Sequence, residues 1–175
     1  MQFEIFNQLH LYYIISFLII WTVIPFLSSI YLEKKIIQKA TLFLIISSVG
    51  LDIFDDIYRI YDNNFTLQKD LPLHLCGFSV YLGAYTLYKK HQLGFELCYF
   101  WGIGGALQAI LTPDTTGYTN AYHIFAHQVS HGIIVLNVLW MIIVLKMRFR
   151  KFSLLRTIAI TNILLLPIAA INYML

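Results

Sequence analysis

Charged residues are scarce in this chain of 175 residues, because Asp, Glu, Lys and Arg make up only 12% of it while apolar residues make up 59%. A soluble domain of this size carries about 25% charged and 45–50% apolar residues, so too few polar side chains are present to cover a water-facing surface. The composition excludes a soluble globular domain and a disordered chain. Together with a mean hydropathy of +0.71, it indicates an integral membrane protein.

Cysteine is also rare, and a long polar linker is lacking. The two cysteines, Cys76 and Cys98, do not form a CxxC pair, so a disulfide scaffold is excluded. The first apolar run is preceded by Glu4 rather than by a basic segment, which favours a membrane span over a cleaved signal. Since no polar joint is long enough to hold a second domain, the sequence predicts a single transmembrane helical domain over residues 1–175.

Six apolar segments each approach the ~20 residues that are needed to cross about 30 Å of hydrocarbon. They cover residues 9–32, 36–58, 71–88, 95–112, 121–145 and 153–175. The sequence therefore predicts an all-α, polytopic transmembrane bundle of six spans. The last run reaches Leu175 without a flanking basic residue, so we expect either an outer C-terminus or a seventh span that is missing from this chain.

The positions of the basic residues predict the orientation of the bundle. Ten of the 12 Lys and Arg residues fall in or beside the first, third and fifth joints between the spans. The positive-inside rule places these joints in the cytoplasm and the N-terminus outside. This topology explains the net charge of +3 without a nucleic-acid partner, and it predicts a multi-pass protein of the cell membrane.

Polar side chains gather in the outer half of the predicted bilayer, where four helix ends meet. A charged group at such depth costs about 2.5–3.5 kcal/mol and normally faces the bundle interior or a wet cavity. This cluster is therefore the predicted functional site. Its main members are Asp52 in the second span, His74 and Cys76 in the third, Gln108 in the fourth, and His127 and His131 in the fifth.

The histidines of the fifth span allow two interpretations. His123, His127 and His131 recur every four residues, which is a workable spacing for metal ligands on one helix face. They can equally act as hydrogen-bond donors between helices. Asp52 and Asp56 are also four residues apart, and a metal or proton role for them competes with a plain interfacial location.

The two cysteines receive different interpretations. A lone cysteine in apolar surroundings is usually a small packing residue, and this is what we expect of Cys98 near the cytoplasmic end of its span. Cys76 lies two residues after His74 at the outer start of the third span. A positive helix terminus or a nearby base there stabilises a thiolate, which makes Cys76 a candidate nucleophile.

Three motifs carry a resemblance to a known family: LPLHLC at 71–76, WGIGGALQAILTPD at 101–114 and SHG at 130–132. Over roughly residues 40–175 the chain resembles the bacterial YwaF family of integral membrane proteins. That family is grouped with the animal transmembrane protein 164, an acyltransferase that remodels ether phospholipids through a cysteine and a histidine. It is more remotely similar to the androgen-induced hydrolases of fatty acid esters of hydroxy fatty acids, which use a threonine and a histidine.

The resemblance implies a lipid-facing active site with Cys76 as the nucleophile and His131 as its histidine. The expected function is that of a membrane lipid acyltransferase or lipid-ester hydrolase acting on a phospholipid or fatty acyl ester, without a cofactor. His127 lies nearer the depth of Cys76, whereas His131 lies about 7 Å deeper, so His127 is the substitute base. The expected substrate contacts are His74, His127, Gln108 and Asp52. Of these, His74, His127 or Gln108 is expected to donate a hydrogen bond to the oxyanion.

Two other functions compete with this hypothesis. One is a zinc-dependent membrane hydrolase with His123, His127, His131 and Asp52 around the metal. The other is a non-enzymatic small transporter or assembly partner whose buried aspartates and histidines relay protons. Metal analysis of the purified protein would distinguish the zinc hydrolase from the cysteine mechanism. A continuous aqueous path through the bundle would support the transporter.

Overall fold

The computed structural model describes residues 4–67, 74–114 and 120–174, and these residues contain helices and no strand. The helices agree with the six apolar segments to within four residues at each described end. In chain order they are α1 (Gln8–Tyr31), α2 (Lys34–Tyr61), α3 (Leu75–Lys89), α4 (Gln92–Cys98), the π-helix π1 (Tyr99–Ala106), α5 (Leu107–Leu111), α6 (Ala121–Ile143) and α7 (Ser153–Met174). Because α4, π1 and α5 follow one another without a break, they form one continuous helix over 92–111.

Local capping explains where several of these helices begin. The Asn7 side chain accepts a hydrogen bond from the backbone N–H of His10, at 2.8 Å, at the start of α1. The Asn120 side chain does the same for His123 at the start of α6, at 3.2 Å. Each cap satisfies a backbone donor that the first helical turn leaves unpaired.

Four helices of the described chain are long and apolar enough to cross a membrane: α1, α2, α6 and residues 153–171 of α7. The all-helical, multi-pass architecture is therefore confirmed. The helix α3 has only 15 residues, about 22 Å at 1.5 Å per residue, and the π-helix interrupts the α-helix over 92–111. The count of six spans and the outer N-terminus remain predictions.

The helix α6 forms the centre of the bundle. In its most apolar stretch 56% of the residues are buried, compared with 11% in α7. Trp21 of α1 donates its indole N–H to the carbonyl oxygen of Gly132, at 2.9 Å. Asn137 donates its amide to the hydroxyl of Ser48 of α2, at 2.7 Å. Apolar packing brings no hydrophobic gain over lipid, so such hydrogen bonds and close contacts are what hold helices together in a membrane.

Glycines allow the closest approaches between helices. A Cβ on Gly102 would lie 2.9 Å from a methyl group of Ile134 in α6, and one on Gly132 would lie 2.6 Å from the Phe17 ring in α1. Both distances are shorter than a van der Waals contact, so only glycine fits at these crossings. The π-helix and α1 are thereby packed directly against α6.

Candidate functional site

Cys76 is the second residue of α3, within its first turn. Its thiol is half-buried and lies against π1, where a Cβ on Gly105 would be only 3.0 Å from Sγ. Among the described residues, the thiol makes no hydrogen bond. Cys98, in contrast, is buried, with its sulfur 4.0 Å from the carbonyl oxygen of Ser79, which agrees with its expected packing role.

The start of α3 leaves backbone donors beside the thiol. His74 is the N-cap residue, with an extended backbone, and its side chain makes no capping hydrogen bond. The first helical carbonyl bond is made by the N–H of Phe78 to the carbonyl oxygen of His74, at 3.1 Å. The amides of the turn before Phe78 have no partner within the helix, and they give this end a partial positive charge that favours a thiolate or an oxyanion. The first three residues of the LPLHLC motif, 71–73, lie outside the described residues.

His131 is held in one tautomer by its own helix. Its Nδ1 lies 2.8 Å from the carbonyl oxygen of His127, which can only accept, so Nδ1 carries the proton in the neutral ring. The other ring nitrogen, Nε2, then carries a lone pair. This is the arrangement that a general base requires, with one nitrogen oriented by a hydrogen bond and the other available to take a proton.

The ring of His127 lies against that of His131 in a tilted contact, with ring centroids 4.3 Å apart. Its Nε2 lies 3.2 Å from the carbonyl oxygen of Ala109 in α5, so this nitrogen donates a hydrogen bond to the backbone. The contact ties α6 to the helix that carries the Gly-rich motif. His127 therefore has a structural role at Nε2. Within the described residues, the same nitrogen of His131 donates to no backbone carbonyl.

His74 and Asp52 extend this cluster toward α2. His74 interacts electrostatically both with Asp52 of α2 and with His131 of α6. The half-buried Asp52 also interacts with the hydroxyl of Tyr81, one and a half turns along α3 from Cys76. Side chains of α2, α3 and α6 thus lie within electrostatic range of one another near the start of α3. Among the described residues, no hydrogen bond joins the thiol to an imidazole.

Gln108 is not joined to this group by any contact. It is exposed in α5, and within the described parts of the chain its side chain makes no hydrogen bond. Its backbone carbonyl oxygen instead accepts hydrogen bonds from the N–H and hydroxyl of Thr112, at 2.8 and 3.0 Å. The expected role of Gln108 as an oxyanion donor remains a prediction.

The three histidines of α6 do not converge as metal ligands. Each step of four residues turns the helix by about 40°, so His123 and His131 point about 80° apart. His123 is fully buried and faces α2, in an edge contact with Tyr58 and with Nε2 3.9 Å from a carboxylate oxygen of Asp62. Within residues 4–67, 74–114 and 120–174, no group of three or more His, Cys, Asp or Glu side chains is arranged to hold a metal ion.

Two buried ionisable residues, His10 and Glu96, were not expected from the sequence. His10 of α1 is completely buried, accepts a hydrogen bond at Nδ1 from the backbone N–H of Phe6 and donates from Nε2 to the carbonyl oxygen of Ile110, at 2.6 Å. His10 thereby joins α1 to α5 at Ile110, the residue after Ala109, whose carbonyl oxygen accepts the hydrogen bond from His127. A histidine inside an otherwise apolar first span is the signal that would have indicated it.

Glu96 of α4 is the second missed residue and is also completely buried. Its carboxylate accepts hydrogen bonds from Arg150 and Arg156, both at 2.9 Å, and from Gln92 at 3.1 Å. The hydrogen bond to Glu96 raises the pKa of Arg150. Part of the basic cluster that follows the fifth span therefore neutralises a buried acid. The signal in the sequence is an acidic residue near the cytoplasmic end of the fourth predicted span, on the same side of the membrane as the basic cluster.

The comparisons with known proteins now identify the family. A model of the TMEM164 family matches residues 5–175, nearly the whole chain. The chain belongs to the TMEM164 family. This confirms the expected relation to transmembrane protein 164, while the narrower YwaF assignment remains a prediction. No curated protein and no solved structure matches the chain.

Membership of the TMEM164 family supports a membrane protein and agrees with the apolar helices. The family match covers the cluster of Asp52, His74, Cys76 and His131.

Proposed function

We propose that this member of the TMEM164 family is a membrane lipid acyltransferase or lipid-ester hydrolase with Cys76 as the nucleophile and His131 as the general base. The observation that carries the proposal is the fixed tautomer of His131, whose Nδ1–H is bound by the carbonyl oxygen of His127 at 2.8 Å. In this tautomer Nε2 carries the lone pair that a general base requires. The ring is oriented on α6, next to the end of α3 that bears Cys76.

The proposed reaction begins with transfer of the Cys76 proton to Nε2 of His131. The sulfur then bonds to the acyl carbonyl carbon of a lipid ester, since a thiolate is more nucleophilic than the hydroxyls nearby. Collapse of the tetrahedral intermediate breaks the ester C–O bond, and the imidazolium returns its proton to the leaving alkoxide. A lyso product and a thioester on Cys76 result.

The second half of the reaction regenerates the enzyme. A hydroxyl of an acceptor lipid, or water, gives its proton to Nε2 of His131 and attacks the thioester carbonyl carbon. The C–S bond breaks, and the sulfur leaves as a thiolate that recovers the proton from the imidazolium. The nature of the acceptor alone distinguishes an acyltransferase from a hydrolase in this scheme.

Stabilisation of the oxyanion is assigned to the start of α3. The backbone N–H groups of its first turn lie beside the sulfur and are not used by the His74 side chain. One such donor contributes about 3–4 kcal/mol to the transition state where its removal has been measured in other enzymes. His74, which interacts with Asp52, is the side chain placed to add a further donor or to orient the lipid headgroup.

The proposal is tested by a set of variants assayed with phospholipid labelled in its acyl chain. Cys76→Ala should abolish transfer or hydrolysis, and Cys98→Ala should retain it, since Cys98 is the chain's other, buried cysteine. His131→Ala should abolish activity, and His127→Ala should reduce it less. Full activity in Cys76→Ala would refute the cysteine mechanism. Activity lost in His127→Ala but kept in His131→Ala would transfer the base role to His127.

A further inference from the structure

A cavity lies far from Cys76, at the opposite end of α3. It has a volume of about 370 Å³ and separates the first half of α2 from the last turn of α3. This volume is in the range of small-molecule sites, which occupy ~300–1,000 Å³. Cys76 and Tyr88, which lines the cavity, are 12 residues apart and thus about 18 Å apart along the helix. The cavity is therefore separate from the proposed acyl-transfer site.

One end of this cavity is positively charged. Lys34 of α2 and Lys90, which caps the C-terminus of α3, both line it. Neither lysine forms an ion pair with any residue in the described parts of the chain. The helix α2 begins at Lys34, and its N-cap residue, Glu33, makes no side-chain capping bond. Two cationic side chains beside the first-turn amides of a helix form a suitable environment for a phosphate group.

The rest of the cavity is apolar. Its walls include Ile37 and Ile45 of α2, Leu87 of α3, and Leu145, just after the end of α6. Lys34 and Ile45 are 11 residues apart, or about 16 Å along α2, which is close to half of a ~30 Å hydrocarbon core. The cavity thus has the polarity and the length of one lipid molecule in one leaflet.

We propose that this cavity binds one anionic phospholipid of the surrounding bilayer. Its phosphate lies between Lys34, Lys90 and the first-turn amides of α2, and one acyl chain runs along Ile37 and Ile45. The predicted orientation places the cavity in the cytoplasmic leaflet, whose surface is negatively charged. A lipid bound there bridges α2 and α3, so it stabilises the helix pair that positions Asp52 beside His74.

The test uses the full chain, purified in a neutral detergent and titrated with dimyristoyl phosphatidylglycerol or with dimyristoyl phosphatidylcholine. Bound lipids are counted by native mass spectrometry, and the thermal midpoint is followed in parallel. Lys34→Gln/Lys90→Gln should weaken phosphatidylglycerol binding about 30-fold, from the electrostatic contribution of two lysines. The matched control is Lys35→Gln/Lys89→Gln, which removes the same charge from neighbouring residues that do not line the cavity.

A second pair of variants tests the apolar part while leaving all charges intact. Leu42→Trp fills the cavity from a lining position, and Phe43→Trp enlarges an exposed neighbour that does not line it. Only Leu42→Trp should lower the number of bound phosphatidylglycerol molecules. If the double lysine variant does not fold, the single variants Lys34→Gln and Lys90→Gln replace it.

Three results would each overturn the proposal. Equal losses in the two double lysine variants would show attraction to diffuse surface charge. Equal binding of the two lipids to the unmodified chain would show that the headgroup charge is not recognised. Unchanged binding to Leu42→Trp would place the lipid elsewhere. Failure of this proposal would leave the acyl-transfer proposal standing, because the assays on Cys76 do not depend on it.

Discussion

Replacing Gly105 by alanine tests whether π1 positions the nucleophile. A Cβ at this residue would lie 3.0 Å from Sγ of Cys76, whereas non-bonded heavy atoms prefer about 3.5–4.0 Å. The sulfur would therefore have to shift by a few tenths of an ångström. A displacement of about 1 Å can cost 10²-fold in a reaction that depends on aligned groups, so this smaller shift costs roughly three- to tenfold. We expect Gly105→Ala to reduce acyl transfer by about that factor, with little loss of stability.

Gly104→Ala provides a matched control, because a Cβ at Gly104 has no atom within 4 Å. Both substitutions change helix propensity by the same amount, up to about 1 kcal/mol in favour of alanine. The difference between them therefore isolates the contact with Cys76. The assays are acyl transfer from labelled phospholipid and the rate of Cys76 alkylation by N-ethylmaleimide, with the thermal midpoint as a check on folding. Equal activities and equal alkylation rates in the two variants would refute the positioning role of Gly105.

Two further predictions concern the fold. Glu96→Gln should lower the thermal midpoint by ~5 °C, since it removes the carboxylate that pairs with Arg150 and Arg156. Glu33→Gln is the control and should leave the midpoint unchanged, because Glu33 is exposed and makes no capping bond. Equal midpoints for the two variants would contradict the role of Glu96. In a chain lacking both native cysteines, Arg148→Cys should resist impermeant maleimide added to intact cells, whereas Asn64→Cys should react. Labelling at residue 148 from outside would reverse the predicted orientation.

The positions of the helices could be predicted from the sequence because one physical requirement, internal hydrogen bonding of the backbone in lipid, determines them. A segment of about 20 apolar residues must satisfy its backbone hydrogen bonds internally in lipid, so it forms a helix. The polar joints and the caps at Asn7 and Asn120 then fix the ends. The π-helix could not be predicted in this way, since apolar composition does not distinguish π from α hydrogen bonding. Nor does the spacing of its glycines show that Gly105 faces Cys76.

The arrangement of the polar side chains depended on tertiary contacts that spacing does not report. The periodicity placed His123, His127 and His131 on one face, yet His123 faces Tyr58 of α2 while His127 contacts Ala109 of α5. The rotation of about 40° per four residues is enough to separate them once helices pack on both sides of α6. Depth in the membrane varies with residue number along a helix, so the sequence predicts that Asp52, His74 and His131 share the outer half of the bilayer. Depth alone favours His127 over His131 as the partner of Cys76, and the choice of His131 depends on the family resemblance.

The most direct test of the cysteine mechanism is to trap the acyl intermediate. The purified chain is incubated with phospholipid, quenched in acid and digested, and the peptides are mapped by mass spectrometry before and after neutral hydroxylamine. We predict an acyl group on Cys76 that hydroxylamine removes, that is absent from His131→Ala and that forms normally in Cys98→Ala. Turnover of the lipid by the unmodified chain with no acyl group on Cys76, or with an acyl group only on Cys98, would contradict the mechanism.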